Sequence, residues 1–345
     1  MPGLINPGAL WKIVRAGHPR ARLRATRDGL TAVRLHLGAA AVETGLLDSL
    51  ATGDATTAEL ARRLGAVDEE LLTAFLRVAA SVGLIGGGEG RPWRLTARGR
   101  AIVEDDLVRA GYEAFSGLHS AVYREMATLL RGGERRRDMA EHGALIARIS
   151  QGFESLVMDA LARTVAERRP RRVLDVGCGA GLELAVMLEA APAAHGVGID
   201  LDAEAADLAE RTLRERGLSG RASVVRSDIR DPSARASGPL AEPFDVALLA
   251  NVIYYLPMAE RVPLLRDIAG LLNPGGLLFL VATVATPQFF SRHFDLLLRA
   301  QEGRMELTDA DGLVSQLTEA GFVVDRPRPI APGAPAVTVT ATLPG

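Results

Sequence analysis

Apolar side chains recur at helical spacing through Ala39, Val42, Leu46, Leu47 and Leu50, which predicts a helix closed by Gly53 and Asp54. Thr56, followed three residues later by Glu59, is a capping box that opens a second helix with Leu60 and Leu64 turned inward. A third helix starts after Asp68 and repeats apolar residues at Leu71, Phe75 and Ala79 and at Leu72 and Leu76. Leu84 and Ile85, a glycine-rich turn over 86–90, and residues 93–95 then read as a small β-hairpin. From 109 to 169 the pattern stays helical, with His119, Tyr123, Met126, Phe153 and Met158 spread through it. After Pro170 the period changes. Short apolar runs at 173–176, 196–199, 223–225, 244–250 and 277–283 alternate with helical stretches, among them 203–216 and 259–272. Strands alternating with helices predict an α/β domain with a mainly parallel sheet covered on both faces. Such sheets bind ligands beyond the C-terminal ends of their strands.

Three helices and a hairpin form a winged-helix pattern. The expected division is therefore an N-terminal helical winged-helix domain over 1–105, a helical linker over 106–168 that contributes to a substrate pocket, and an α/β domain over 169–345. A length of 345 residues agrees, being too great for one small core. With 48% apolar and 24% charged residues mixed along its length, the chain is globular rather than disordered. A winged helix that reads DNA needs basic or amide side chains where its third helix begins. Here that position holds Asp68, Glu69 and Glu70, which phosphates would repel. The net charge of −2 offers no general field for nucleic acid or an anionic membrane either. Dimerisation is the expected role of this domain, giving a homodimer. The arginine-dense stretch 15–34 reads as the solvated face of an amphipathic helix rather than a nucleic-acid or membrane arm.

Cys178 is the single cysteine, so the chain forms no internal disulfide and offers no CxxC pair to zinc; no metal site is expected, and a reducing cytoplasm suits it. No stretch reaches the ~20 apolar residues of a membrane span. Residues 1–11 lack a charged start followed by an apolar run, so neither export nor membrane insertion is expected.

The segment from Val173 to Gly181 runs from a strand into a turn carrying Gly177, Gly179 and Gly181, and then into a helix. Glycines let a backbone approach a ligand closely, and a helix N-terminus presents free N–H groups. Dinucleotide enzymes carry G-x-G-x-x-G; here the third glycine comes one residue earlier, with Leu182 in its place, which argues against a dehydrogenase. The second strand ends in Asp200, a carboxylate suited to both hydroxyls of a ribose. After the third strand come Asp228, suited to an adenine amino group, and Ile229, suited to covering the ring. The fourth strand delivers Asn251 to the same edge, and Asn273-Pro274-Gly275-Gly276 forms a turn into the fifth.

Through Asp175-Val176-Gly177-Cys178-Gly179-Ala180-Gly181, Asp200, Asp228 and 273–276, the chain resembles the class I methyltransferases that use S-adenosylmethionine (SAM). With the winged helix and helical linker added, it is similar to the bacterial small-molecule O-methyltransferases that dimerise through their N-terminal domain. The resemblance implies a Rossmann-like seven-stranded sheet whose last strand is antiparallel, residues 322–325 and 336–342 supplying the last two strands. It also implies SAM as cofactor and S-adenosylhomocysteine (SAH) as product. Gly177 and Gly179 would approach the methionine part, with Asp175 near its ammonium group, Asp200 at the ribose, Leu201 against the adenine, and Asp228 with Ile229 at its amino edge; Cys178, Gly181 and Asn251 complete the expected cofactor-binding set. Phe153 is similar to a linker aromatic that closes over the cofactor.

One departure bears on mechanism. Many O-methyltransferases of this shape place a histidine shortly after the fourth strand as general base, whereas this chain reads Asn251-Val252-Ile253-Tyr254-Tyr255-Leu256-Pro257. The remaining catalytic candidates are His119, His293, Tyr254 and Tyr255. A hydroxyl nucleophile needs its proton removed, while a carboxylate is already ionised. The expected reaction is methylation of a small metabolite or natural-product intermediate at a hydroxyl or carboxylate oxygen. The C-terminal carboxylate of a modified peptide, methylation at nitrogen or carbon, and a SAM-sensing winged-helix regulator are the alternatives.

Overall fold

The computed structural model describes residues 17–88, 90–150, 154–236 and 238–345. The chain divides into two units, Met1–Glu125 and Met126–Gly345. Phe153 and the part of the arginine-dense stretch before residue 17 lie outside the described residues.

In the N-terminal unit α1 (Pro19–Glu43) ends at Thr44, and Gly45, at φ 71°, turns the chain into α2 (Leu46–Ala51). One helix was expected across this point. The left-handed backbone that glycine adopts without steric cost breaks it instead. The break turns Leu46, Leu47 and Leu50 into the core that Ala41 and Val42 also enter. The capping box opens α3 (Thr57–Leu64) as expected: the Thr56 N–H donates to Glu59 Oε2 at 2.7 Å and the Glu59 N–H to Thr56 Oγ1 at 3.3 Å. Asp68 caps α4 (Glu69–Ser81), accepting the Leu71 N–H at 2.9 Å. This helix buries Leu72, Leu76 and Ala79 but leaves Leu71, a member of the apolar repeat, exposed beside Glu69 and Glu70. The hairpin pairs β1 (Ile85–Gly88) with β2 (Arg91–Leu95), Ile85 facing Leu95, and Ala55 bridges to Trp93 as a third edge. Then follow α5 (Ala97–Glu104), α6 (Asp106–Ala114), a π-helical turn at Phe115–His119, and α7 (Ser120–Leu130), inside which the two units divide.

The C-terminal unit begins with α8 (Asp138–Glu141), α9 (Gly143–Ser150) and α10 (Glu154–Arg168). Its parallel strands are β3 (Arg172–Val176), β4 (His195–Asp200), β5 (Ala222–Arg226), β6 (Phe244–Ala250) and β7 (Leu272–Thr283). Helices α11 (Leu182–Ala190), α12 (Ala203–Glu215), α13 (Pro232–Arg235) and α14 (Met258–Ala269) lie between them in sequence. After β7 come α15 (Phe289–Arg299), α16 (Ala310–Glu319), the short β8 (Val323–Val324) and β9 (Arg328–Pro329), and β10 (Ala336–Thr342). The sheet order is β5-β4-β3-β6-β7-β10-β8, with β9 pairing β10 beside β8. β10 is antiparallel to its neighbours, in the seven-strand arrangement expected, and the two-residue β9 adds an eighth piece.

Along β3, Leu174 and Val176 enter one core and Val173 the other, the period of two that a strand covered on both faces requires. The strand order reverses between β3, with β4 on one side, and β6, which opens a crevice at their C-terminal ends. Residues 273–276 serve the other end. Phe244 lies opposite Leu272 and Val246 opposite Leu277, so these four residues form an excursion within β7. Asn273 Nδ2 donates there to Asp245 Oδ1 at 2.8 Å, and Asp245 Oδ2 accepts the N–H groups of Arg171 and Arg172.

Candidate functional site

The turn after β3 is tied to β4. The N–H groups of Gly177 and Cys178 donate to Ile199 O at 2.8 and 3.1 Å, and the Gly179 N–H donates to Asp200 Oδ2 at 2.9 Å. Asp200 Oδ1 accepts the Asp202 N–H at 2.9 Å. Both oxygens are thereby oriented while lone pairs remain for ligand hydroxyls. Gly179 and Gly181 differ in purpose. At Gly179 (φ 49°) a Cβ would meet nothing within 4 Å, so the left-handed turn leaves open space beside it. At Gly181 (φ 73°) a Cβ would stand 3.0 Å from both Cα and Cβ of Ala209, so this glycine serves the close approach of α11 to α12. Cys178 turns its thiol inward onto Gly198, whose Cβ would lie 2.8 Å from the sulfur. Burial, followed by the nearby carboxylates, pushes that thiol far above its ordinary range, so Cys178 offers a ligand its backbone and no thiolate.

Asp175, in the middle of β3 opposite Gly198 and Leu248, is buried, and its Oδ2 has no hydrogen-bond partner. Burial, then the carboxylates of Glu183 and Asp200, hold its carboxyl well above the usual carboxylate range, although the Leu184 N–H opposes the shift. Glu183, in the first turn of α11, is likewise pushed up by burial. Sequence reading passed over Glu183, although an acid in the first turn of the helix after the glycines was its signal. A buried acid pair beside an open glycine turn is a place for a cation that the chain itself does not supply.

Beyond the next two strand ends the picture is more guarded. Leu201 is 68% exposed, an apolar side chain open to a flat ring, and Ile229 is buried against the core. Asp228 does not stand open. Its Oδ1 accepts the N–H of Arg230 at 2.8 Å, and both oxygens accept the guanidinium, Nε at 3.0 Å and Nη2 at 2.8 Å. Arg230, which sequence reading passed over, also donates through Nη1 to Glu260 Oε2 at 2.7 Å. Its cation holds the Asp228 carboxyl below the usual carboxylate range. Asn251 follows β6 in the left-handed region at φ 58°, its N–H donating to Val281 O at 2.9 Å.

The catalytic candidates are placed as follows. Tyr254 is buried, edge-on to Tyr255 at 4.7 Å between centroids and to Phe294 of α15 at 5.2 Å. Burial pushes the Tyr255 hydroxyl up to about 12 and holds the Tyr254 hydroxyl well above the usual phenol range, so both stay protonated at neutral pH and act as hydrogen-bond groups, not bases. His293 is buried on α15 with its ring parallel to Phe289 at 6.0 Å, and burial pushes its pKa down, keeping the imidazole neutral. His119 sits in the π-helical turn of the N-terminal unit, its ring 4.3 Å from that of Phe115. Among the described residues no group of three or more His, Cys, Asp or Glu is placed to hold a metal ion.

Residues 173–276 match the methyltransferase domain family. The chain is 28% identical over 254 residues to the 3-hydroxy-5-methyl-1-naphthoate 3-O-methyltransferase of Streptomyces sahachiroi, covering 69% of this chain and 70% of that one. It is 28% identical over 332 residues to the N,N-dimethyltransferase OxyT of Streptomyces rimosus, covering 88% and 91%. Its fold is similar to that of NcsB1, an O-methyltransferase from neocarzinostatin biosynthesis solved with SAM and 2-hydroxy-5-methyl naphthoic acid, with a TM-score of 0.65 at 24% identity over 90% of this chain and 96% of that one. The chain is a methyltransferase of the class I SAM-dependent fold, and it resembles the bacterial small-molecule O-methyltransferases.

Proposed function

We propose that the protein methylates an oxygen of a small natural-product intermediate, with SAM as the methyl donor. The observation that carries this reading is the pairing of the open turn at Gly179 with the buried, unpartnered Oδ2 of Asp175. A ligand with a cationic amine beside a flexible chain fits that pairing, and SAM has such an end. Gly177 and Gly179 would admit the methionine part, Asp175 would take its ammonium, Asp200 the ribose hydroxyls, and Leu201 and Ile229 the adenine faces, with Asp228 and Asn251 at the rim. When bound, SAM supplies a methyl group made electrophilic by a cationic sulfur. The chain contributes positioning and exclusion of water, which supply much of the rate in a direct transfer.

The relative from S. sahachiroi is named for a hydroxynaphthoate, and a fused aromatic acid suits the aromatic surface that Phe294, Tyr254 and Tyr255 form. Tyr254 and Tyr255 would orient a substrate oxygen as hydrogen-bond groups. For a hydroxyl substrate, neutral His293 is the candidate proton acceptor; a carboxylate needs none. Methylation of an amine is the second reading. It is favoured by the 28% identity to OxyT and by the lack of a histidine in residues 251–257.

Two further points belong to this proposal. The N-terminal unit would form a homodimer, because Leu23, Leu30 and Val33 stand exposed on α1 among the described residues. No described helix is long and apolar enough to cross a membrane, and a chain with a single cysteine suits the reducing cytoplasm, where we place the activity.

Calorimetric titration with SAM and SAH tests the central claim. Wild-type protein should bind both, and Asp200→Ala should lose most of the affinity, since two backbone anchors and the ribose acceptor go together. Failure of the wild type to bind either ligand would remove the proposal.

A further inference from the structure

Asp228 stands at the rim of the proposed cofactor site with its hydrogen-bonding capacity spent. A carboxylate offers about four lone-pair positions. Here they face one backbone N–H and a guanidinium that reaches both oxygens, all from Arg230. An amino group arriving from a ligand finds no free acceptor on Asp228 while Arg230 is in place. Arg230 is not committed to Asp228 alone. Its Nη1 is already bonded to Glu260 in the first turn of α14, so the guanidinium can give up Asp228 and keep a carboxylate partner. The two ion pairs are also half exposed, with side-chain exposures of 41% for Arg230, 30% for Asp228 and 48% for Glu260, which places them among the weaker and readily exchanged kind. The surrounding loop has its own fastening. Arg235 reaches Asp267 at 2.6 Å, two helical turns along α14 from Glu260, so the loop keeps a tie to this helix when the Arg230 pair changes.

We infer that Arg230 is a latch over the adenine end of the site: it holds Asp228 until an adenine amino group takes its place, and then moves wholly onto Glu260. This rests on the reading that the site holds an adenosyl cofactor. Arg230 thereby acts as a positioning and selectivity residue. It keeps Asp228 ionised and oriented, and it admits only a ligand edge that donates a hydrogen bond strongly enough to displace a guanidinium. A purine with an oxygen in place of the 6-amino group puts an acceptor where adenine donates and moves its donor to the neighbouring N1–H, so it does not displace the latch from the position the amino group takes.

The test is calorimetric titration of the full-length protein with SAH and with S-inosylhomocysteine, in which the adenine amino group is replaced by oxygen. Arg230→Met frees Asp228 and should tighten SAH by about two- to five-fold, the range expected for releasing one exposed ion pair. It should leave S-inosylhomocysteine unimproved. Glu260→Gln removes the second anchor, makes Arg230 costlier to displace, and should weaken SAH by a similar factor. Opposite signs for the two variants are the signature, because a merely structural role for the triad would move both the same way. Weaker or unchanged SAH binding in Arg230→Met, or an equal gain for both ligands, overturns the latch. If wild-type protein binds neither ligand, it is the cofactor reading that fails, and the two failures are distinguished by that control.

Discussion

Asp175 occupies the centre of the parallel sheet, and its environment acts on stability as well as on binding. Its folded-state carboxyl is held well above the usual carboxylate range by burial and by Glu183 and Asp200. The folded protein therefore keeps a proton that the unfolded chain gives up near pH ~4, and stability falls as pH rises from there towards the folded-state value. Asp175→Asn cannot ionise. Its melting temperature should gain on that of the wild type as pH is raised from about 5 to about 8, while its SAH affinity falls for want of the carboxylate. A dye-monitored melting series with parallel pH profiles for the two proteins would contradict the assignment. At this scale the residue types were legible in the chain and their states were not. Asp175, Asp200 and Asp228 are picked out alike by position, yet one is buried with an unpartnered oxygen, one is oriented by two backbone N–H groups, and one is closed by Arg230. Cys178 sits within the glycine turn, yet its thiol packs on Gly198.

The elements follow local chemistry wherever that chemistry is strong. The Thr56–Glu59 box and the Asp68 cap start their helices where the side chains can satisfy free N–H groups. Gly45 was less legible, because a glycine inside an apolar helical repeat reads as tolerated until the packing of Leu46 and Leu47 shows that the chain must turn there. Gly181 joins the two levels: it sets the N-terminus of α11 and lets that helix approach Ala209 of α12. Gly181→Ala adds a Cβ at positive φ and against a neighbouring backbone, and should cost about 1–3 kcal/mol. Ala209→Gly removes one of the two close atoms, and although a glycine inside α12 costs about 1 kcal/mol by itself, the double variant should be more stable than the sum of the two single losses. Chemical denaturation of both single variants and the double one checks this, and strictly additive losses would show that the left-handed backbone alone carries the cost of Gly181→Ala.

At the scale of the whole molecule, exposed apolar residues on α1 bear on assembly. Leu23 and Leu30 lie seven residues apart, two turns of one helix face, at 63% and 53% exposure. If that face is a homodimer seam, Leu23→Glu with Leu30→Glu should convert a dimer to a monomer in light scattering coupled to size exclusion, and a wild type already monomeric would exclude the proposal. The alternation of strands and helices, the glycine spacing and the methyltransferase character are determined by the chain itself, because each depends on residues within a few positions of one another and on backbone preferences that act locally. The acidic start of α4, which argues against DNA, is equally local. Only the tertiary structure decides that Asp175 and Glu183 share a buried place, that Arg230 spans Asp228 and Glu260, that Tyr254 meets Phe294, and that residues 273–276 serve the end of the sheet remote from the crevice. In each case the deciding quantity is burial or a partner supplied by another element, and many of these partners lie tens of residues away in the chain. Neither burial nor a distant partner is encoded in spacing; both arise when the sheet closes and its strand ends are brought together.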